Sequence, residues 1–173
     1  MAVVLVTGMS GAGKSSVLVE LARLGHAVVD TDDSGWIEPD ASTGEPLWRV
    51  DRMTALLEEH AGGHLFVSGT VANQGAFRPG FDAVVLLSAP LDVLLERVST
   101  RTTNPFGRTA AQRAAIARDV AEVEPLLRRG ATVAVDSRAP LPDVVAAVLA
   151  AAGGEGDGHA LRGHPGGPPV GTR

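Results

Sequence analysis

Residues 6–17 read V-T-G-M-S-G-A-G-K-S-S-V, and what surrounds this stretch decides the fold. Gly8 to Ser15 satisfies G-x-x-x-x-G-K-[ST] at every fixed position. Small residues let successive main-chain N–H groups point into one concavity, which suits phosphate oxygens. Lys14 adds a point charge for the terminal phosphates, Ser15 a hydroxyl for magnesium, and the helix that follows its positive end. The expected loop set is Gly8, Ser10, Gly11, Ala12, Gly13, Lys14, Ser15 and Ser16. Such a motif works only between a buried strand and an amphipathic helix. Residues 2–6 (AVVLV) supply the strand, and residues 14–24 place Val17, Leu18, Leu21 and Leu24 on one helical stripe that Gly25 ends. The stretch is therefore expected to hold a nucleoside triphosphate, taken as ATP with Mg2+.

Outward from the motif, strands and helices alternate. A second strand ends in Asp30, Asp32 and Asp33, and residues 37–46 (IEPDASTGEP) read as loop. A helix is expected from about Leu47 through His60. HLFVSG and DAVVLLSA read as third and fourth strands, PLDVLLERVSTR as a helix opened by proline, and ATVAVDS as a fifth strand before a last helix near 141–152. Pro105 and Gly107 interrupt the helical pattern, which resumes from Thr109 through Arg129. The class is α/β, three layers around a five-stranded, mainly parallel sheet with a short lid near 102–110. Residues 1–152 form the expected domain. Residues 153–173 are rich in glycine and proline and nearly free of large apolar groups, so they are expected to be a disordered tail.

Composition narrows the function. The 173 residues are 45% hydrophobic with a formal net charge of -5 and no cysteine. That excludes disulfides and thiolate metal sites and argues against a nucleic-acid backbone as the main partner. The apolar start MAVVLV is too short for a signal peptide or a membrane span, so a cytoplasmic protein without membrane contact or obligate protein partner is expected. Isolated histidines at 26, 60 and 64 carry no metal-ligand spacing.

A phosphate loop alone does not separate a kinase from a switch. The arginines of LLERVSTRTTNPFGR bear on that question. Arg97 and Arg101 lie four apart on one helix face, and Arg108 closes the short segment after them. Phosphoryl transfer needs positive charge on the migrating group and exclusion of water, which a short arginine-bearing flap supplies. Carboxylates at the end of the second strand suit a magnesium shell and a base for a hydroxyl proton, or simply cap an acidic turn.

With these stretches in place the chain resembles the small nucleoside monophosphate kinases and, more closely, the shikimate kinases, over roughly residues 1–150. VVDTDD is similar to the D-T-D of shikimate kinases, which implies Asp30 as the magnesium residue and Asp32 as the base or acceptor-orienting group. GEPLWRVD resembles their G-E-x-x-F-R-x-x-E, which implies a substrate role for Arg49 with Trp48 beside it. EPLLRRGATVAVDS resembles the approach to their adenine loop, which implies that Asp136 to Pro140, including Arg138, lie near the base. Arg97 would then stand by the adenine and Arg101 and Arg108 in the lid. From the residues themselves, Trp48 and Trp36 fit a core role equally well, and Arg49 fits a pairing with Glu45.

Departures from the family narrow the acceptor. Shikimate kinases carry an arginine in R-x-P-L-Y where this chain has Val123, and three glycines after the third strand where it keeps Gly69 behind Ser68. Shikimate itself is therefore not the expected substrate. Arg49 and Arg78 remain available for an anionic group on the acceptor, while Asn73 and Gln74 either read the acceptor or satisfy backbone. The leading expectation is an ATP-dependent kinase whose acceptor is a hydroxyl or phosphate of a small metabolite, with Lys14, Asp32, Arg101 and Arg108 as its catalytic set. The alternatives are a nucleoside or nucleoside monophosphate kinase, or a nucleotide-dependent switch acting on a protein.

Overall fold

The computed structural model describes residues 1–102 and 105–153. Two lid residues and the tail from 154 onward lie outside it, so the disordered-tail expectation falls on residues not described. The element order is β1 (Val3–Thr7), α1 (Lys14–Arg23), β2 (Ala27–Asp30), β3 (Ile37–Pro39), β4 (Pro46–Trp48), α2 (Val50–Glu59), β5 (Leu65–Ser68), a 3-10 turn (Gln74–Gly80), β6 (Ala83–Ser88), α3 (Leu91–Thr100), α4 (Ala110–Glu122), α5 (Glu124–Gly130), β7 (Val133–Asp136) and α6 (Leu141–Gly153).

Five strands form one parallel sheet in the order β2-β5-β1-β6-β7. β1 sits at its centre because it is apolar on both faces: Val4 and Val6 pack with Leu18 and Leu21 of α1 and Val148 of α6, while Val3 and Leu5 pack with Trp48, Met53 and Phe77. The result is the three-layer α/β architecture of P-loop kinases. Parallel strands all end on the same side, so the loops after β1, β2, β5 and β7 gather at one edge of the sheet. Among the described residues no helix is long and apolar enough to cross a membrane.

Three local expectations need correction. Residues 37–46 are not plain loop: β3 and β4 pair antiparallel, with Ile37 opposite Trp48 and Pro39 opposite Pro46. The turn between them closes on the Asp40 carboxylate, whose Oδ1 accepts from the N–H of Ser42 and of Thr43, both at 2.8 Å, and from the Ser42 hydroxyl at 2.6 Å. α2 consequently starts at Val50 rather than Leu47, with Arg49 as its extended N-cap. The helical pattern from Thr109 to Arg129 is two helices, since Pro125 cannot donate to a continuing ladder. Thr109 and Gln112 open the first of these with a reciprocal capping box.

The hairpin is bolted to the sheet through Trp48, which is fully buried. Its Nε1–H donates to Thr31 Oγ1 at 2.9 Å, and the Thr31 hydroxyl in turn donates to the Ser68 carbonyl at 2.7 Å. Asn73 grips the main chain of the same residue, accepting from Trp48 N–H and donating to its carbonyl, each at 2.9 Å. Gly69 makes the arrangement possible: a Cβ there would run into the Thr31 hydroxyl and lie 2.9 Å from the indole.

Two outcomes follow for stability. The turn hydrogen bonds hold the Asp40 carboxyl down at about 2, from an ordinary 3.8. A depressed carboxyl contributes stability above its unfolded pKa and loses it as pH falls through the folded one. Amide exchange at Ser42 and Thr43 should therefore accelerate between pH 3.8 and 2 beyond the intrinsic trend, and not in Asp40→Ala, where protection is already gone. Gly69→Ala should lower stability by about 1–3 kcal/mol through overpacking, measured by chemical denaturation, with the loss of Trp48 burial visible as a red-shifted indole emission.

Candidate nucleotide and phosphoryl-transfer site

β1 ends at Thr7 and the chain turns over α1 through residues 8–13. Gly11 and Gly13 take φ values of 83° and 97°, a region open to glycine, and Gly13 is the N-cap of α1. A Cβ on Gly11 would lie 2.7 Å from the Leu94 carbonyl of α3. The loop thereby leaves its amides facing a cavity of about 570 Å³, lined by residues 10–17 together with Asp32, Arg97, Thr100, Arg101, Ser137, Ala139, Leu141 and Val144. Those residues come from four separated parts of the chain. The polar end, at the loop, suits phosphates, and the end at Ala139, Leu141 and Val144 suits a flat apolar ring system.

Lys14 is half-buried and donates to the carbonyls of Gly8 at 2.6 Å and Met9 at 3.3 Å. Burial pushes its ammonium below the ordinary value, Asp32 and Asp30 pull it back up, and Arg101 pushes it further down. Ser15 lies at the mouth of α1, its hydroxyl donating to Asp30 Oδ2 at 3.1 Å. Asp30 Oδ1 accepts from the Asp32 N–H at 3.1 Å, which fixes the turn that carries Asp32 into the cavity wall.

Magnesium fits this corner. Asp30 and Ser68 stand opposite each other in register on neighbouring strands and so project from the same sheet face. The Ser68 hydroxyl is fully buried yet hydrogen-bonds no described group. A buried hydroxyl beside a carboxylate and a serine suits the hydration shell of a small, hard cation, which keeps most of its water and takes few protein ligands. No group of three or more His, Asp or Glu side chains that could hold a metal gathers among the described residues.

The arginines divide. Arg97 donates to the Gly11 carbonyl at 3.3 Å, to Ser137 Oγ at 3.0 Å and to the Ser137 carbonyl at 2.6 Å, tying the phosphate loop to the wall after β7. Arg101 lines the cavity at the C-cap of α3, where burial lowers its pKa and Asp32 raises it. Arg108 is not brought to the cavity. It is exposed and donates to the Arg101 carbonyl, at the C-cap of α3, at 3.0 Å.

Several expected substrate and base contacts are also relocated. Trp48 is core, not a wall of an acceptor site, because its indole is sealed under Gly69. Gly69 itself is fully covered by that packing. Arg49 pairs with Asp51 at 2.7 Å, not with Glu45, since residues 45 and 49 are not on one helix. Arg78 donates to the Phe81 carbonyl at 2.7 Å and to Thr132 Oγ1 at 3.3 Å, next to the beginnings of β6 and β7 and hence at the opposite edge of the sheet from the phosphate loop. Asp136 and Arg138 face away from the nucleotide cavity into a neighbouring one and pair with each other at 2.6 Å. The cavity takes Ser137 and Ala139 instead, from the turn after β7 that the Ala139 N–H closes on the Asp136 carbonyl. Sequence reasoning missed Thr31 and Thr70 altogether. They sit one and two residues past the ends of β2 and β5, and a lone hydroxyl has no motif to mark it.

Comparison with known proteins agrees with this geometry. The AAA domain family matches residues 4–118. A nucleotide-binding protein of Sorangium cellulosum is 33% identical over 115 residues, 66% of this chain and 32% of that protein. One from Gluconacetobacter diazotrophicus is 29% identical over 147 residues, 82% of this chain and 39% of its own length. The chain thus spans 32% and 39% of the length of these relatives. Among solved structures, shikimate kinase from Acinetobacter baumannii superposes with a TM-score of 0.59 at 20% identity, covering 86% of this chain and 91% of the other. A gluconokinase from Sinorhizobium meliloti gives 0.56 at 26% identity, with 88% and 91% covered. A sugar kinase from Janibacter gives 0.56 at 21% identity, with 87% and 93% covered. A phosphate loop closed by α1, a domain matched across about two thirds of the chain and these neighbours lead to one placement: the chain belongs to the AAA domain family and has the fold of the small P-loop kinases.

Proposed function

We propose that the protein is an ATP-dependent small-molecule kinase that transfers the γ-phosphoryl group of Mg-ATP to a hydroxyl or phosphate acceptor other than shikimate. The observation that carries this reading is the presence of Asp32 and Arg101 on the wall of the cavity that the phosphate loop opens into. A pure nucleotide holder needs neither. A kinase needs a carboxylate to orient or deprotonate the acceptor and a cation over the migrating group.

The roles follow from position. Loop amides and Lys14 bind the phosphates, and Arg97 holds the loop against the wall that takes the base. Ser15, with Asp30 behind it, would hold magnesium, which would neutralise charge on the terminal phosphates. Asp32 accepts the proton of the acceptor hydroxyl, and Arg101 stabilises the charge spread over the transferring group. Catalysis is then positioning and charge stabilisation, with little covalent work for the protein. Relatives named as a shikimate kinase, a gluconokinase and a sugar kinase support a hydroxyl acceptor. The paired state of Arg49 and the distant position of Arg78 remove two candidate clamps for an anionic acceptor, which supports a neutral polyol or a nucleoside.

A second reading, a nucleotide-dependent regulator, draws on the curated relatives described only as nucleotide-binding proteins. A metabolite library screened for acceptor-dependent ADP release separates the two: release with one class of small acceptor supports the kinase, and turnover that responds only to a protein overturns it.

Lys14→Ala should weaken nucleotide binding by roughly 10- to 100-fold, the loss of one charge-assisted contact, with the melting temperature little changed. Asp32→Asn should lower kcat by about 100-fold or more while the affinity for ATP, read by calorimetry, stays within about twofold.

A further inference from the structure

We propose that Thr70 is a positioning residue that keeps the Gly8 carbonyl partnered while Lys14 exchanges that carbonyl for phosphate; this rests on reading Lys14 as the phosphate-binding lysine.

Thr70 is half-buried in the segment after β5 and is not part of the nucleotide cavity wall. Its hydroxyl donates to the Gly8 carbonyl at 2.8 Å and accepts from the Gly8 N–H at 3.2 Å, gripping both main-chain groups of the first loop glycine. The same carbonyl accepts from Lys14 Nζ at 2.6 Å. Gly8 therefore has one oxygen with two donors, and one of those donors is the group that a triphosphate draws away. Without Thr70, departure of the ammonium would leave a half-buried carbonyl unpaired, at a cost that opposes phosphate binding. With Thr70 in place the carbonyl stays satisfied and the lysine moves freely between partners.

The hydroxyl is itself held. Thr70 Oγ1 lies 3.0 Å from the fully buried Thr7 Oγ1, which donates more weakly to Gln74 Oε1 at 3.4 Å. Gln74 Oε1 also accepts from the Val71 N–H at 3.3 Å. Two hydroxyl protons thus serve the Gly8 carbonyl, the Gln74 amide oxygen and each other, so the pair has more acceptors than protons and can reset without moving a heavy atom. The segment that carries Thr70 also carries Asn73, which holds the hairpin through Trp48. Lys14 is in this way linked to the hairpin side of the sheet edge through residues 70–74.

The test uses the full chain and an imido analogue of ATP with magnesium. Thr70→Val and Thr70→Ala remove the hydroxyl, the first keeping volume and the second avoiding any steric conflict, while Thr70→Ser keeps the hydroxyl. Calorimetric affinity should fall about 3- to 10-fold in the Val and Ala variants and stay within about twofold in Ser. A residue that merely stabilised the fold would lower the melting temperature without moving the affinity. Val and Ala variants that bind the analogue as the wild type does overturn the proposal while the kinase reading stands. A wild-type chain that binds no nucleotide overturns both.

Discussion

Everything at the site depends on the main chain between β1 and α1 coming close to its neighbours with no side chain in the way. The loop must keep its amides outward, and its inner surface is pressed against α3 and the β6 end, where the carbonyls of Leu94 and Leu87 leave no room for a Cβ at Gly11 or Gly8. β1 can present such a loop only because it is the middle strand, buried on both faces and flanked by β5 and β6. The sheet supplies a fixed platform and the glycines let the platform end in backbone. Lys14, Ser15 and Arg97 then take positions defined relative to that backbone rather than to one another.

The same logic explains which parts of the protein were readable from residues alone. The sheet and its main helices were legible because β-branched runs and helical stripes encode burial directly. The phosphate loop was legible because close backbone approach leaves a fixed spacing of glycines. Asp32 and Arg101 could be named because they are charged groups near strand and helix ends, and the topology brings such ends together. The β3-β4 hairpin was not legible: its strands are three residues each, with proline in both, and are held by a turn carboxylate and one indole rather than by a pattern. Its presence moves Trp48 from the acceptor side into the core and frees Arg49 to pair with Asp51.

The residues expected at the site and found elsewhere share a cause. Arg78 and Arg108 are named for their charge, and Asp136 and Arg138 by resemblance to the adenine loop, but a charged side chain is directed by local geometry and not by the chemistry it could serve. Asp136 and Arg138 satisfy each other two residues apart, and Arg108 finds the Arg101 carbonyl at the C-cap of α3. The residues of that region that do reach the cavity, Ser137 and Ala139, are small and carry no chemical label. Hydroxyls such as Thr31, Ser68 and Thr70 escape for the same reason, although they stand at the strand ends where the site is built.

The hairpin has a consequence for how this chain changes over time. Its turn closes upon itself through Asp40, and its attachment runs through a single buried anchor and the amide of Asn73. The exposed residues from 41 to 45 therefore bear on neither the sheet nor the phosphate loop. A segment joined at one firm point and indifferent at its tip is a replaceable cassette: it can lengthen, shorten or exchange its surface while the nucleotide machinery stays intact.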